Sequence, residues 1–481
     1  MVTVIQAYRF ALDPTAGQRT ALRSHCGAQR YAFNWGLARV KANLDQRAAE
    51  ASYGILSGEL TPPVSWSAFS LRADWNQAKA AAAPWWGENS KEEAYASGLA
   101  NLAAALTNWH DSRRGRRRDP AVRFPGFKGR RAGSSCRFTT GSYGVTGDRR
   151  HVKLPRIGAV RTHESTRKLS RHLERGTARI RSATVSHRSG RWFCSFSVEI
   201  TRTEPTPRRP DGAVGVDLGV TSLAVLSTGL VVPNPRHLSV SLRALRRLQR
   251  QAARRIGPDR RTGHQPSNRW RKTRAKIARL HAGIAHSRRD GLHKITTGLV
   301  REFGTIVLED LTVSGMLRNR RLARHIADVG MRELRRQTSY KSAWGGSRLV
   351  VADRWFPSSK TCSDCGAVKA KLSLRVRVHD CDECGFVLDR DLNAARNLVA
   401  LVSEAAGSTS AASCAGTRNK PDGNPRQTHA TWAAGTAAGR PGRGRANAAP
   451  RGDGYRAQRP DVAHASGNGR WKLVVEDAAG S

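Results

Sequence analysis

The stretch VTVIQAYRFAL near the start of the chain alternates polar and apolar side chains and predicts a strand over residues 1–12. From Ala16 to about Ala49, Leu22, Cys26, Tyr31 and Asn34-Trp35 recur at helical spacing, which predicts one long helix. Pro62-Pro63 and Pro84 then break the pattern, and an Ala/Leu-rich helix resumes from Lys91 to Trp109. Residues 120–200 read mostly as strand. Their clearest element is RSATVSHRSGRWFCSFSVEI, where Trp192, Cys194, Phe196, Val198 and Ile200 share one face and Ser189-Gly190 supply the turn.

A linker rich in proline and arginine, TRTEPTPRRPDG (201–212), precedes a change of pattern. AVGVDL, SLAVLS and LVV read as three short strands joined by tight turns. A long basic helical region follows, with Leu242, Leu245 and Leu248 on one face, then Ile277, Leu280 and Ile284, then Leu292, Ile295 and Leu299. Next come the buried-type strand GTIVLED, a helix around 320–340, the strand SRLVVADRWF, and DLNAARNLVAL, a helix with Asp391 near its start. Three hairpin-linked strands followed by helix, strand, helix, strand and helix is the order of an RNase H-like domain. From about Ser403 the periodicity fades into Gly, Ala, Pro, Ser and Arg, which predicts a disordered basic tail over 403–481.

Charge narrows the class. Lys and Arg number 83 against 37 Asp and Glu, a net +46, the balance expected of a surface that neutralises a polyanion. Nucleic acid is the partner this implies. A membrane surface is the alternative, but no apolar stretch approaches the roughly 20 residues of a spanning helix, and MVTVIQAYRFALDPT lacks a signal-peptide core. The expectation is a cytoplasmic, nucleoid-associated protein without membrane partners.

The eight cysteines divide into two C-x2-C pairs and four lone residues, Cys26, Cys136, Cys194 and Cys414, which is not a disulfide framework. Cys362/Cys365 and Cys381/Cys384, 15 residues apart and each followed by a glycine, match the spacing of a four-thiolate zinc ribbon. Four thiolates leave no open coordination position, so the expected Zn2+ is structural. A redox dithiol needs only one pair and leaves the second unexplained.

Three acids stand at element ends: Asp217 after the first strand of the second half, Glu309 after VLE, and Asp391 at the last helix. In an RNase H-like sheet they can converge at one edge, where they would repel one another unless divalent cations neutralised them. Two Mg2+ roughly 4 Å apart would then activate water and stabilise the leaving 3′ oxygen of a phosphodiester. Each acid also has a plain reading: a turn for Asp217, a solvated strand end for Glu309, a helix cap for Asp391. Asp389 reads as a cap or a supporting group. Asn393 reads as orienting a carboxylate or a phosphate, or as an ordinary polar contact. His281, His286 and His293 lie on the basic helix without ligand spacing and read as surface or packing residues. No G-x-S-x-G, Walker A or H-E-x-x-H occurs, which excludes the common hydrolase, NTPase and metalloprotease classes.

Two basic runs are candidates for nucleic-acid contact. In SRRGRRRDPAVRFPGFKGRR (112–131) the candidates are Arg113, Arg114, Arg116, Arg117, Arg118 and Arg123, with Phe127 and Lys128 among the later cations. A solvated loop ahead of a strand accounts for the same run. In SNRWRKTRAKIARLHAG the candidates are Arg271, Lys272 and Arg274.

GVDLGVTSLAVLSTG (215–229), IVLEDL (306–311), FPSSKTCSDCG (356–366) and CDECGFVLDRDLNAARNL (381–398) resemble, in order and spacing, the split RuvC-like nuclease and inserted zinc ribbon of transposon-encoded TnpB (OrfB) proteins, relatives of type V CRISPR effectors. AYRFALDPTAGQRTAL, RFPGFKGR and the basic run 267–296 are similar to the same family, so the resemblance spans roughly residues 1–400. It implies an α+β multidomain fold: a wedge-like β-barrel from 1–10 and 116–205, a helical recognition insertion over 11–115, a RuvC-like nuclease domain over 210–355 and 387–402, and a zinc ribbon at 356–386. Carried over by position, Asp217, Glu309 and Asp391 are the nuclease carboxylates and hold Mg2+, and Cys362, Cys365, Cys381 and Cys384 hold Zn2+. The resemblance further implies an RNA-guided double-stranded DNA endonuclease that takes its guide RNA from the transposon end and reads a short flanking DNA motif. A cleavage-silent guided repressor and a DNA strand transferase using a 3′ hydroxyl are the alternatives. Residues 51–90, the tail, and the acidic Asp380 and Asp382 beside Cys381 depart from the family pattern.

Overall fold

A computed structural model describes residues 1–84, 92–117, 120–129, 133–203, 205–259, 261–373 and 375–407. Arg118, Cys414, residues 85–90 of the unmatched stretch and the expected tail from 408 onward lie outside the described residues.

The first strand, β1 (Val2–Asp13), leads into α1 (Ala16–Ser52). Thr15 and Gln18 exchange bonds at the start of α1: the Gln18 amide donates to the Thr15 hydroxyl and the Thr15 amide to the Gln18 side chain. The prolines that interrupt the pattern frame a helix of their own, α2 (Ala68–Ala82), which buries Leu71 and Trp75 and is capped by Ser67. Its one-sided apolar face is too sparse to stand out between the breaks. Next, α3 (Glu92–Arg113) crosses α1 at Gly98, where an added Cβ would lie 2.3 Å from the Gln29 carbonyl.

The chain then forms β2 (Ser134–Phe138), β3 (Gly144–Val145), β4 (His151–Leu154), β5 (Gly158–Thr162), the short helix α4 (Arg167–Glu174), β6 (Ala178–Arg188) and β7 (Arg191–Arg202). The strands join β1 in a seven-stranded antiparallel sheet of order β2-β6-β7-β1-β5-β4-β3. The β6–β7 turn is the expected Ser189-Gly190, both at positive φ (51° and 81°), the geometry that suits a two-residue hairpin. Trp192, Cys194, Phe196, Val198 and Ile200 are buried as their alternation predicts, packing with Phe10, Leu22, Phe33 and Phe138 into one core. The sequence reading missed α4, whose charged RKLSRHLE buries little besides Leu169.

The second half contains β8 (Arg209–Asp217), β9 (Ser222–Leu226), β10 (Val231–Pro233), α5 (His237–Ala253), α6 (Asn268–Glu302), β11 (Phe303–Glu309), α7 (Val313–Met316), α8 (Ala323–Val329), α9 (Met331–Gly345), β12 (Arg348–Ala352), β13 (Val378–Asp380), β14 (Val387–Asp389) and α10 (Arg390–Gly407). Five strands form a mixed sheet of order β10-β9-β8-β11-β12, with β8, β9 and β10 antiparallel and β11 parallel to both β8 and β12. β8 starts inside the stretch read as a linker, because Arg209 pairs with Phe303 of β11, and a ladder overrides local composition. The helix expected around 320–340 is split between α8 and α9 at Gly330, whose φ of 77° ends α8 in the left-handed region. Leu245 and Ile277 are buried between α5 and α6, with Leu248, Leu280 and Trp270 packed around them, while Leu242 is half-buried. Among the described residues no helix is long and apolar enough to cross a membrane.

Candidate functional site

Parallel pairing places Val216 beside Leu308, so Asp217 and Glu309 follow at the same edge of the five-stranded sheet. Helix α10 reaches that edge because Gly215 has no side chain. A Cβ there would lie 2.0 Å from the Ala395 carbonyl and 2.9 Å from the Val399 amide. Ala394, Ala395 and Leu398 are fully buried at this contact. Gly215→Ala is expected to cost roughly 3 kcal/mol or more, by overpacking against backbone that has no rotamer to yield. Thermal melting of the variant checks this, and an unchanged midpoint would refute the close approach.

The three acids meet electrostatically. Burial first, and then the neighbouring charges of Glu309 and Asp391, push the Asp217 carboxyl up to about 8 against the opposing pull of Arg390. Asp391 is approached by Arg390 at 3.3 Å and Arg377 at 3.8 Å. Glu309 accepts a hydrogen bond from the Ser358 hydroxyl. Asp389 acts on the helix instead. One of its oxygens accepts from the Asp391 and Leu392 amides, both at 3.0 Å, and so caps α10. Asp391 is the acid of that pair whose charge reaches Asp217.

The four paired cysteines converge more tightly. Among the described residues they are the one set of three or more potential ligands whose ligand atoms all lie within 4.8 Å of one another. Cys362 and Cys384 Sγ are 3.8 Å apart, and Cys365 and Cys381 Sγ 3.6 Å. A tetrahedron with metal–sulfur bonds of about 2.3 Å has edges of about 3.8 Å, so the cluster can hold a metal ion. Both knuckles turn on glycine at positive φ, Gly366 (79°) and Gly385 (70°), whose amides donate to the Cys362 and Cys381 carbonyls. The acidity around Cys381 is partly offset by Lys369, 2.6 Å from Asp382.

Asn393 belongs to this cluster. Its Oδ1 accepts from the Ser363 amide at 2.9 Å and its Nδ2 donates to the Thr361 carbonyl at 2.7 Å. Asn397, one turn on, donates to the Ser358 and Thr361 carbonyls, each at 2.7 Å. Both asparagines are buried. They fasten the first cysteine knuckle to α10, and Ser358 continues the link to Glu309. The sequence reading missed Asn397 and Ser358. The i, i+4 spacing of the two asparagines beside paired alanines was the signal that one helix face is polar for a reason.

The basic candidates separate by surroundings. Arg114, Arg116 and Arg123 are exposed, Phe127 is 59% exposed, and Arg113 stacks on Trp109 at 5.5 Å. Arg117 donates to the Asn108 side chain. Lys128 is turned inward: its amine sits 3.4 Å from the centre of the Phe33 ring, its backbone is bonded on both sides to Asn34, and burial lowers its pKa to about 8. Lys272 lines an open groove of about 450 Å3 between α5 and α6 with Arg255, Arg269, Lys276 and Arg279. Arg271 is exposed and Arg274 lies over Trp270 at 5.6 Å. Of the three helix histidines, His286 contacts the Phe193 ring edge-on and the His293 carbonyl accepts from Lys341.

Known proteins share this sequence pattern. The OrfB_IS605 model, described as “Probable transposase”, matches residues 195–320, a Cas12f1-like TNB domain matches 332–398, and an OrfB_IS605 helix-turn-helix domain matches 1–48. In this chain those first residues form a strand and one uninterrupted helix. A Mycobacterium tuberculosis protein named “Putative RNA-guided DNA endonuclease” is 40% identical over 417 residues, 82% of this chain and 86% of that protein. InsQ of Escherichia coli K12, which bears the same name, is 31% identical over 412 residues, 82% of this chain and 92% of that protein. A Cas12f1–sgRNA–target DNA complex aligns with a TM-score of 0.44 at 13% identity, covering 82% of this chain and 99% of the Cas12f1 chain. The chain belongs to the TnpB (OrfB) family of transposon-encoded proteins.

Proposed function

We propose that the chain is an RNA-guided double-stranded DNA endonuclease encoded by a transposable element, with Asp217, Glu309 and Asp391 as its nuclease carboxylates. The observation that supports this reading is the electrostatic coupling of three acids from separate elements, in which burial and the charges of Glu309 and Asp391 push Asp217 up to about 8. A chain of net +46 that gathers anions at one point invites cations there. The donor set is all hard carboxylate oxygen, which fits Mg2+. Bound Mg2+ would supply an activated water and stabilise the leaving 3′ oxygen of a phosphodiester.

The chain's own residues hold that site in shape. Asp217 is set by the strand ladder, Glu309 by the Ser358 hydroxyl, and Asp391 by the α10 cap at Asp389. Arg377 and Arg390 temper the negative charge beside Asp391. Cys362, Cys365, Cys381 and Cys384 suit a closed, structural Zn2+ site. In this reading the five-stranded sheet with α10 is the RuvC-like, RNase H-like nuclease domain (210–355 and 387–402), and residues 356–386 are its inserted zinc ribbon. The seven-stranded sheet is the wedge-like β-barrel (1–10 and 116–205), and the helices between, within 11–115, are the recognition insertion. The α5–α6 groove and the exposed arginines of 113–123 are surfaces for RNA and DNA backbone. Base pairing with a guide RNA from the transposon end reads the target, and the protein reads a short flanking motif.

Expression with the element's native flanking DNA, purification, and sequencing of the bound RNA tests the reading. A single abundant RNA that ends in sequence from beyond the element, and that directs Mg2+-dependent cutting of matching duplex DNA, is the expected result. A random mixture of cellular RNA would remove the guide. Joined rather than cut products would point to strand transfer.

A further inference from the structure

Beside Glu309 the chain makes a second feature that the carboxylate site does not use. β12 ends at Ala352, the ladder partner of Glu309, and the chain then turns through Asp353, Arg354, Trp355 and Phe356. The Phe356 amide closes that turn on the Asp353 carbonyl at 3.2 Å, and the Trp355 amide donates to the Asp353 carboxylate at 2.8 Å. Phe356 packs inward against the core of Val307, Ala352 and Leu398. Trp355 is left 84% exposed. Arg354 is anchored to Asp310 at 2.7 Å, and Arg335 donates to the other oxygen of the same carboxylate, which holds Asp310 below the usual carboxylate range. Asp310, Arg335, Asp353, Arg354 and Trp355 line an open groove of about 410 Å3.

A large exposed indole on a flexible loop would be unremarkable, since scattered apolar side chains are common on protein surfaces. Here the turn is held at every residue around the ring: Arg354 to Asp310, the Trp355 amide to Asp353, Phe356 to the core and Ser358 to Glu309. Holding an aromatic face out of the protein in this way costs hydrophobic burial, and a ligand that covers the ring would return it. The charges of the groove cancel, two arginines against Asp310 and Asp353. Its attraction is therefore not for phosphate but for a flat apolar face between guanidinium planes. A nucleobase is such a face, and it is available only when unpaired and unstacked.

We infer that the Asp353–Phe356 turn is a base-stacking subsite for single-stranded DNA at the mouth of the carboxylate site, with Trp355 as the platform and Arg335 and Arg354 as its flanks. The inference rests on the endonuclease reading for its consequence, the placing of a strand on Asp217, Glu309 and Asp391, but the binding itself does not require cutting. A base parked on Trp355 sets the register of the strand beside Glu309. It also makes the site prefer an opened strand over duplex, because a paired base cannot stack there.

Two experiments test it. In the first, the full-length chain is irradiated with DNA carrying 5-iododeoxyuridine, single-stranded or annealed as duplex, without added Mg2+, and the adducts are mapped by mass spectrometry. An adduct at Trp355 with the single strand that falls at least several-fold with duplex is expected. Adducts spread over the basic helices with none at Trp355 would overturn the subsite. In the second, the RNA-loaded protein cuts matched DNA in which single positions are made abasic. Stacking on one base is worth about 5- to 150-fold, so Trp355→Ala is expected to slow cutting by about that factor, with Trp355→Phe largely retaining it. One abasic position should mimic Trp355→Ala, and the two changes together should cost no more than either alone. Additive effects, or equal cutting by the alanine variant, would overturn the subsite. Because Trp355 is exposed, its melting midpoint should not move. If the wild-type chain fails to cut matched DNA, the endonuclease reading falls while the crosslink still decides the subsite.

Discussion

Asp217→Ala is expected to reduce DNA cutting by about a thousand-fold or more while leaving RNA binding within about two-fold, since the loss is of charge stabilisation at the reacting phosphate. The separation follows from where the charges lie. Asp217 is half-buried at a strand end among acids, whereas the exposed arginines of 113–123 and the α5–α6 groove lie on other elements. Loss of RNA binding in the variant would contradict the assignment. The neutral isostere gives a sharper version. A folded Asp217 keeps its proton to about pH 8, whereas in the unfolded chain it titrates near the ordinary aspartate value of 3.8. Between those values the unfolded state has given up a proton that the fold retains, so the metal-free fold loses stability as pH rises toward 8. Asp217→Asn removes that loss and should raise the melting midpoint without added Mg2+ at pH 8 by roughly 2–5 °C, with little effect at pH 4. In the wild type at limiting Mg2+, cutting should climb with pH to about 8, because metal binding must displace the same proton. A flat profile from pH 6 to 8 would place the raised carboxyl elsewhere.

The second large effect belongs to the cysteines. Cys381→Ser is expected to abolish zinc binding and to slow cutting by about a hundred-fold or more, because a displacement near 1 Å of a reacting group costs that much. The route is visible in the hydrogen bonds. Metal at the four thiols would hold the knuckle at Thr361 and Ser363, Asn393 and Asn397 tie that knuckle to α10, and Ser358 ties it to Glu309. Metal analysis should fall from about one zinc per chain to none. Limited proteolysis should open new sites between Phe356 and Val387, and RNA binding should be unaffected. Full zinc content and full cutting in the variant would detach the knuckle from the carboxylates. Asn393→Ala separates the two steps: zinc should stay while cutting falls, since the metal remains and the knuckle keeps only the Asn397 half of its fastening to α10.

Much of this architecture was legible locally. The β6–β7 hairpin announced itself by strict alternation and a Ser-Gly turn, and α1 by Leu22, Cys26, Tyr31 and Trp35 at helical spacing. The two C-x2-C pairs carried their own geometry, because four thiolates at that spacing with glycine turns have few other ways to close. Elements whose pattern is short or shared were not legible. α2 hides between prolines, α4 is mostly charged, and the start of β8 looks like a linker until Arg209 finds Phe303.

Composition and residues a few positions apart were enough to settle the polyanion-seeking charge, the cysteine knuckles, the order of the strands and the acids at their ends. What each acid touches comes from packing. The sequence offers Asp389 as a cap or a supporting group and Asp391 as a carboxylate of the site, and in the fold Asp389 gives an oxygen to helix amides while Asp391 presents its charge to Asp217. The same holds for Lys128, a cation in the sequence but laid on Phe33 in the fold, and for Asn397, Ser358 and Trp355. Their surroundings come from elements far away in the chain, and burial, charge neighbours and hydrogen-bond partners exist only once those elements have packed.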